Sequence, residues 1–248
     1  MKKIAVLAGF FLAAIRAIII VAILIVFLII FLISERFAND KTSYADRWKR
    51  WYCKTVLFVM GCRVAVHFEM KPLPQSYLLV SNHLSFFDPV VTLALARGMP
   101  LAKAEIRNYP IIGYAALKTG IIYVQREEKS SRKSAREAVV QALRQNRSVL
   151  VYPEGTISPK ENELHPFKVG VFKSAHSAQK PIHAVSIQYF NGRGLWTAER
   201  SLLQQYFYQF SQVRQKIQLN FSEDLRKESP QRTAESSKEW IENKMNSG

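Results

Sequence analysis

The sequence predicts an α/β chain: a single domain with a largely parallel central sheet flanked by helices, preceded by an N-terminal membrane helix. Three observations predict it. Between residues 64 and 189, short apolar runs of β character alternate with stretches of helical period, the pattern of parallel strands joined by helical crossovers. The run from Ala17 to Ile33 carries no charge, and Ile4 to Ile15 before it is nearly as apolar. The 248 residues, less that segment, suit one domain with a sizeable core.

As helix, the run from Ala17 to Ile33 covers about 25 Å, just short of the ~30 Å hydrocarbon core, and the preceding residues extend it. One membrane helix is expected. A hairpin of two short helices dipping into one leaflet, with Arg16 at its turn, is the alternative, because a charge inside a span is costly. Lys2 and Lys3 resemble the start of a signal peptide, but the apolar region is too long and no small-residue cleavage site follows it. Arg36, Lys41, Arg47, Lys49, Arg50 and Lys54 follow the run while only Lys2 and Lys3 precede it, which orients the remaining chain toward the cytoplasm. Trp48, Trp51 and Tyr52 lie among these cations, as in a segment at headgroup level or an amphipathic helix packed on the domain. The chain thus divides into an anchor (1–34), a membrane-proximal amphipathic segment with the first strand (35–72) and the domain carrying the chemistry (73–248).

Beyond the anchor, Val64 to Phe68 and Tyr77 to Val80 read as strands, and Pro89 to Ala96 as a helix with Asp88 at its N-cap and proline in its first turn. Met99 to Lys103 is a short strand. Tyr109-Pro110 opens a helix that Gly120 stops. Ile121 to Val124 is strand, and Arg132 to Asn146 is an amphipathic helix with Ala135, Val139, Ala142 and Leu143 on one face. Ser148 to Tyr152 is strand, Val171 to Ala178 helix and Ile182 to Tyr189 strand. Asn191 to Val213, dense in aromatic residues, reads as core packing, with an acyl-chain lining or a bilayer contact as alternatives. The tail from Ser222 balances its charges and reads as a solvated helical end.

The formal charge of +16, from 35 Lys and Arg against 19 Asp and Glu, calls for an acidic partner: nucleic acid, an anionic membrane surface or phosphorylated substrates. The cations are dispersed and form no stripe interleaved with aromatics, which argues against nucleic acid. His67, His83, His165, His176 and His183 show no ligand spacing, so no metal is expected, and Cys53 and Cys62 read as packed thiols.

The chemistry concentrates in Ser81-Asn82-His83-Leu84-Ser85-Phe86-Phe87-Asp88, at a strand-to-helix junction. A neutral imidazole there can take a proton from a hydroxyl, while a carboxylate accepting its other N–H fixes the tautomer. Three more segments fall where strands end or helices begin, the places at which such sheets collect functional groups. They are Gly120 to Arg126, Tyr152-Pro153-Glu154-Gly155-Thr156-Ile157-Ser158, and Pro166-Phe167-Lys168-Val169-Gly170.

In this order and spacing the chain resembles the 1-acylglycerol-3-phosphate acyltransferase and lysophospholipid acyltransferase family. Asn82, His83 and Asp88 match its Asn-His-x-x-x-x-Asp motif; Gly120 and Arg126 match the second, and Pro153 to Thr156 the third. Phe167, Lys168 and Gly170 match the turn that often follows, and Pro181 to Val185 matches the fourth motif loosely. The resemblance implies transfer of a fatty acyl group from acyl-CoA or acyl carrier protein, as co-substrate with no cofactor, to a lipid hydroxyl. It implies His83 as general base oriented by Asp88, with no serine or cysteine nucleophile, and Arg126 on the acceptor's phosphate. Glu154 and Gly155 would shape the acceptor pocket, Lys103 and Lys168 would add anion contacts, and Asn82, Gly120 and Thr156 complete the implied substrate-binding set. One departure stands out. The family commonly has arginine after Glu-Gly-Thr, and this chain has Ile157. A missing charge-assisted contact of ~1.5 to 3 kcal/mol weakens phosphate binding roughly ten- to a hundred-fold unless Lys103, Lys160 or Lys168 compensates. Lysophosphatidate is the first expected acceptor because it is the commonest in the family, and the missing arginine makes lyso-ornithine lipid or a substituted lysophospholipid the second.

Overall fold

The computed structural model describes residues 2–69, 73–109, 111–125, 127–158, 163–190, 192–197 and 199–246. Among them one helix, α1 (Lys2–Ser34), is long and apolar enough to cross a membrane. It runs unbroken through Arg16, so the hairpin reading is not what the chain adopts. A turn at Glu35–Phe37 leads to Asp40, whose carboxylate accepts the N–H groups of Thr42 and Ser43 and so caps α2 (Lys41–Val59).

The remaining elements follow the expected alternation. They are β1 (Cys62–Phe68), β2 (Leu78–Ser81), α3 (Asp88–Leu93), β3 (Met99–Lys103), α4 (Ile112–Thr119), β4 (Ile122–Val124), α5 (Lys129–Arg144), β5 (Val149–Val151), α6 (Gly170–Ser177) and β6 (Ile182–Tyr189). Then come α7 (Leu202–Phe210), β7 (Gln215–Phe221) and α8 (Pro230–Asn246). The sequence reading contained neither α7 nor β7. Helix α7 buries Gln205 and Gln209 while Leu202, Leu203 and Tyr208 stay exposed, so two of its polar residues face inward, and β7 carries the apolar and polar alternation of a strand through Ile217, Leu219 and Phe221.

Seven strands form one sheet in the order β1-β7-β6-β2-β5-β3-β4. Pairing is parallel except between β6 and β7, so β1 and β7 run against the other five. Because β1 pairs along its whole length with β7, the boundary drawn at residue 72 falls inside one sheet. Helices α2, α3 and α7 pack on one face and α5, α6 and α8 on the other. Strand β2 lies in the middle, buried at every residue, and delivers His83 to the rim where the parallel strands end.

Helix α1 docks along its length. Phe10 stacks on Phe207 at 4.3 Å, the Tyr206 hydroxyl donates to the Ala13 carbonyl, and Phe27 meets Trp48 edge-on at 5.4 Å. Arg16 is buried and donates to the carbonyl of Phe210, the last residue of α7, and to those of Gln212 and Val213 in the turn that follows. The domain thus supplies acceptors for a charge that is costly inside an apolar helix.

Candidate active site

Two central strands and one turn build the site. After β2 the chain leaves the sheet, and the loop of residues 82–87 leads into α3. Asp88 does not cap that helix as expected. Phe87 holds the N-cap position, and Asp88 with Pro89 forms the first turn. Its carboxylate instead turns back on the loop: Oδ2 accepts the N–H groups of Leu84 at 2.7 Å and Ser85 at 2.8 Å, and meets His83 Nδ1 at 2.9 Å. Oδ1 accepts the Tyr189 hydroxyl at 2.7 Å. Asp88 is wholly buried, and four donors compensate the loss of water that burying a carboxylate costs. The His83 side chain keeps 13% exposure, so the buried carboxylate supports an imidazole that solvent and ligands can reach.

Two tyrosines complete the surroundings. The Tyr152 ring stacks beneath His83 at 4.2 Å with 22° between the planes, presenting a π-face to an imidazole that would become cationic. Tyr189 closes β6 and lies on the same rim. Burial, and then the adjacent Asp88 charge, hold its hydroxyl well above the ordinary tyrosine range, so it stays a donor. A side chain at Gly194 would collide with the Tyr189 ring, which explains glycine there. Neither tyrosine was a sequence candidate. Each ends an apolar strand, the only local signal, and strand-end position does not reveal the partner.

Glu154 is buried and spends both carboxylate oxygens on the protein. Oε1 accepts the N–H of His83 at 3.0 Å; Oε2 accepts the N–H of His165 at 2.9 Å and the Ser158 hydroxyl. The Ser158 N–H donates back to the His83 carbonyl at 2.7 Å. Glu154 therefore ties the two loops together and shapes the site from behind. Asn82, expected as a substrate contact, is fully buried: its amide donates to the Ile187 carbonyl at 2.9 Å and accepts the Ile187 N–H at 2.8 Å. It clamps the end of β2 to β6.

The other expected residues separate. Gly155 has φ of 72°, and Lys168 lies across it so closely that a side chain there would strike its ammonium. Thr156 and Lys168 are exposed on this rim. Lys103 ends β3 on the same rim and pairs with Glu105 at 2.8 Å. Gly120 precedes β4 and so lies at the opposite rim, where φ of 86° ends α4; it corrects the expectation of a ligand contact to that of a helix stop. Arg126 and Lys160 lie outside the described residues. Among the described residues no cluster of three or more His, Cys, Asp or Glu gathers.

The loop of His83 is braced from the α1 side. Trp196 N–H donates to the Leu84 carbonyl at 2.8 Å, Ser85 donates to Gln209, and Phe87 packs edge-on against Phe210 at 4.9 Å. The aromatic region thus serves as packing between α1 and the loop. What results is a slightly exposed imidazole whose Nδ1 is held by a saturated carboxylate, an arrangement that leaves Nε2 to take a proton.

Comparison with known proteins identifies the family. The family model described as Acyltransferase matches residues 63–188. A 1-acyl-sn-glycerol-3-phosphate acyltransferase of Neisseria gonorrhoeae is 29% identical over 128 residues, 52% of this chain and 50% of that protein. A lyso-ornithine lipid O-acyltransferase of Pseudomonas aeruginosa is 31% identical over 150 residues, 60% of this chain and 57% of that protein. The chain thus spans about half the length of the curated relatives it matches. The crystal structure of the 1-acyl-sn-glycerophosphate acyltransferase PlsC from Thermotoga maritima superposes with a TM-score of 0.78 at 20% identity, over 100% of this chain and 97% of that one.

Proposed function

Since the chain belongs to the acyltransferase family, we propose that it transfers a fatty acyl group from acyl-CoA or acyl carrier protein to the free hydroxyl of a lysophospholipid. 1-Acyl-sn-glycerol-3-phosphate is the first acceptor, giving phosphatidate. In this reading His83 Nε2 takes the hydroxyl proton as the oxygen attacks the thioester carbonyl. Asp88 holds the tautomer and stabilises the imidazolium, and collapse of the tetrahedral intermediate expels the thiolate, which recovers that proton. The observation that carries the proposal is the His83 to Asp88 contact at 2.9 Å, on a carboxylate already saturated by three further donors. Arg126, Lys103 and Thr156 are assigned to the acceptor's polar head, and Gly155 to close backbone approach.

His83→Ala in purified, folded protein should lower acyl transfer by about 10²- to 10⁴-fold with every acceptor. Unchanged turnover would remove the base from the mechanism. Ile157 and the likeness to a lyso-ornithine lipid O-acyltransferase favour a second reading, in which the acceptor lacks a free phosphate. A panel of lysophosphatidate, other lysophospholipids and lyso-ornithine lipid with one acyl-CoA decides between them.

The membrane arrangement follows from how α1 docks. Its 33 residues extend about 50 Å, longer than a span needs, yet one side is engaged by the domain from Phe10 to Phe31. Crossing the bilayer would carry α7 and the β7 approach into the hydrocarbon. The reading consistent with that docking places α1 within one leaflet, its outer residues such as Ile4, Phe11, Ile18 and Ile29 toward lipid and the sheet on the cytoplasmic side. Helix α2, flanked by α1 and α4, adds exposed Trp51 and Phe58, and α4 adds Ile112, Tyr114 and Leu117. Together they form one apolar face.

A further inference from the structure

Resting on the acyl-transfer reading, we propose that the cavity between α5, α6 and the ends of β3, β4 and β5 is a phosphate-ester site. Arg132 and Arg136 supply there the guanidinium charge that is absent at position 157. The cavity holds about 290 Å³. That is room for about ten water-sized groups, enough for a phosphate and several methylenes. Leu101, Val124, Val139 and Val151 make its apolar walls, and its cations are Arg132, Arg136 and Lys168. Ile157 does not line it. Tyr152, the residue stacked beneath His83, contributes to its wall, so the cavity adjoins the base.

Three features distinguish this arrangement from scattered surface charge. Arg132 and Arg136 stand four residues apart on α5, so the two guanidinium groups share one helix side within reach of one anion, Arg132 also donating to the Glu127 carbonyl. Both glycines of the lining make room for a cation. A side chain at Gly155 would strike Lys168, and one at Gly170 would press on Arg136 Cδ at 3.1 Å. Finally, the Ser174 hydroxyl of α6 is shared between the Arg136 carbonyl at 3.2 Å and the Gly170 carbonyl at 3.3 Å, and the Lys168 N–H donates to the Pro153 carbonyl at 2.9 Å. The backbone beneath two of the cations is thereby fixed. The ligand that fits is a phosphate ester on an apolar arm. An acceptor headgroup and the 4′-phosphopantetheine of the donor both have that chemistry.

The test is Arg132→Gln/Arg136→Gln, compared with Lys133→Gln, which removes an exposed α5 cation that does not line the cavity. The double variant should raise KM for one phosphate-bearing substrate by about ten-fold or more, with kcat within about three-fold, while Lys133→Gln changes neither. If the effect disappears when acyl-CoA is replaced by the phosphate-free S-acyl-N-acetylcysteamine, the site holds the donor. If it disappears when lysophosphatidate is replaced by lyso-ornithine lipid, it holds the acceptor head. Calorimetric titration with 4′-phosphopantetheine and with glycerol 3-phosphate reads the site without turnover, and so separates its failure from a failure of the His83 assignment. Equal KM and equal binding in the double variant and the parent, or the same change in Lys133→Gln, would overturn the proposal.

Discussion

Replacing Tyr189 by phenylalanine removes the hydroxyl that donates to Asp88 Oδ1. Asp88 Oδ1 then loses its only protein donor among the described residues, inside a pocket where the carboxylate has no exposure. A hydrogen bond to a charged group is worth about 1.5 to 3 kcal/mol, and the ring itself keeps its place against Gly194. The lost bond leaves one oxygen of a buried carboxylate unsatisfied, so the carboxylate is held less firmly against His83 Nδ1 and orders its tautomer less well. At about pH 7 kcat should fall about ten-fold, with KM for acyl-CoA nearly unchanged, since no substrate contact is removed. The assay is thiol release from acyl-CoA over a range of acyl-CoA concentrations. A kcat within about two-fold of the parent would refute the argument that Tyr189 holds Asp88 in place.

Asn82→Ala should act on stability, because it frees the backbone N–H and C=O of Ile187 in a buried strand; a loss of about 2 to 3 kcal/mol lowers Tm by about 5 to 10 °C in thermal unfolding. Burial pushes the Cys53 and Cys62 thiols up to about 12. Only about one molecule in 10⁴ then carries thiolate at pH 8, so iodoacetamide should leave both unmodified and activity intact by mass spectrometry and assay. Loss of activity on labelling would point to a cysteine nucleophile. Ile112→Asp/Leu117→Asp should weaken binding to anionic vesicles at least about ten-fold in co-sedimentation, while activity on a dispersed short-chain acceptor is retained. Equal vesicle binding would remove α4 from the membrane face.

Much of this protein was legible along the chain because the relevant physics is local. Unbroken apolarity marked α1, period and length marked most strands and helices, and the five-residue spacing of His83 and Asp88 brought base and carboxylate together on one short loop. Other features depend on partners that no local pattern names. Tyr189 reaches Asp88 across 101 residues and Asn82 reaches Ile187 across 105, contacts that exist only because β6 lies beside β2 in the sheet. Glu154 read as a ligand contact until the fold brought the N–H groups of His83 and His165 to it. Arg16 read as a costly charge within the apolar run, or as the turn of an alternative hairpin, until the end of α7 and the turn after it brought three carbonyls to it. Sequence by itself determined most of the elements, though not α7 and β7, and the pair of groups that can move a proton. Tertiary structure alone decided which polar groups hold that pair in place, since a buried hydrogen bond requires a donor and an acceptor brought together by strand order rather than by proximity in the chain.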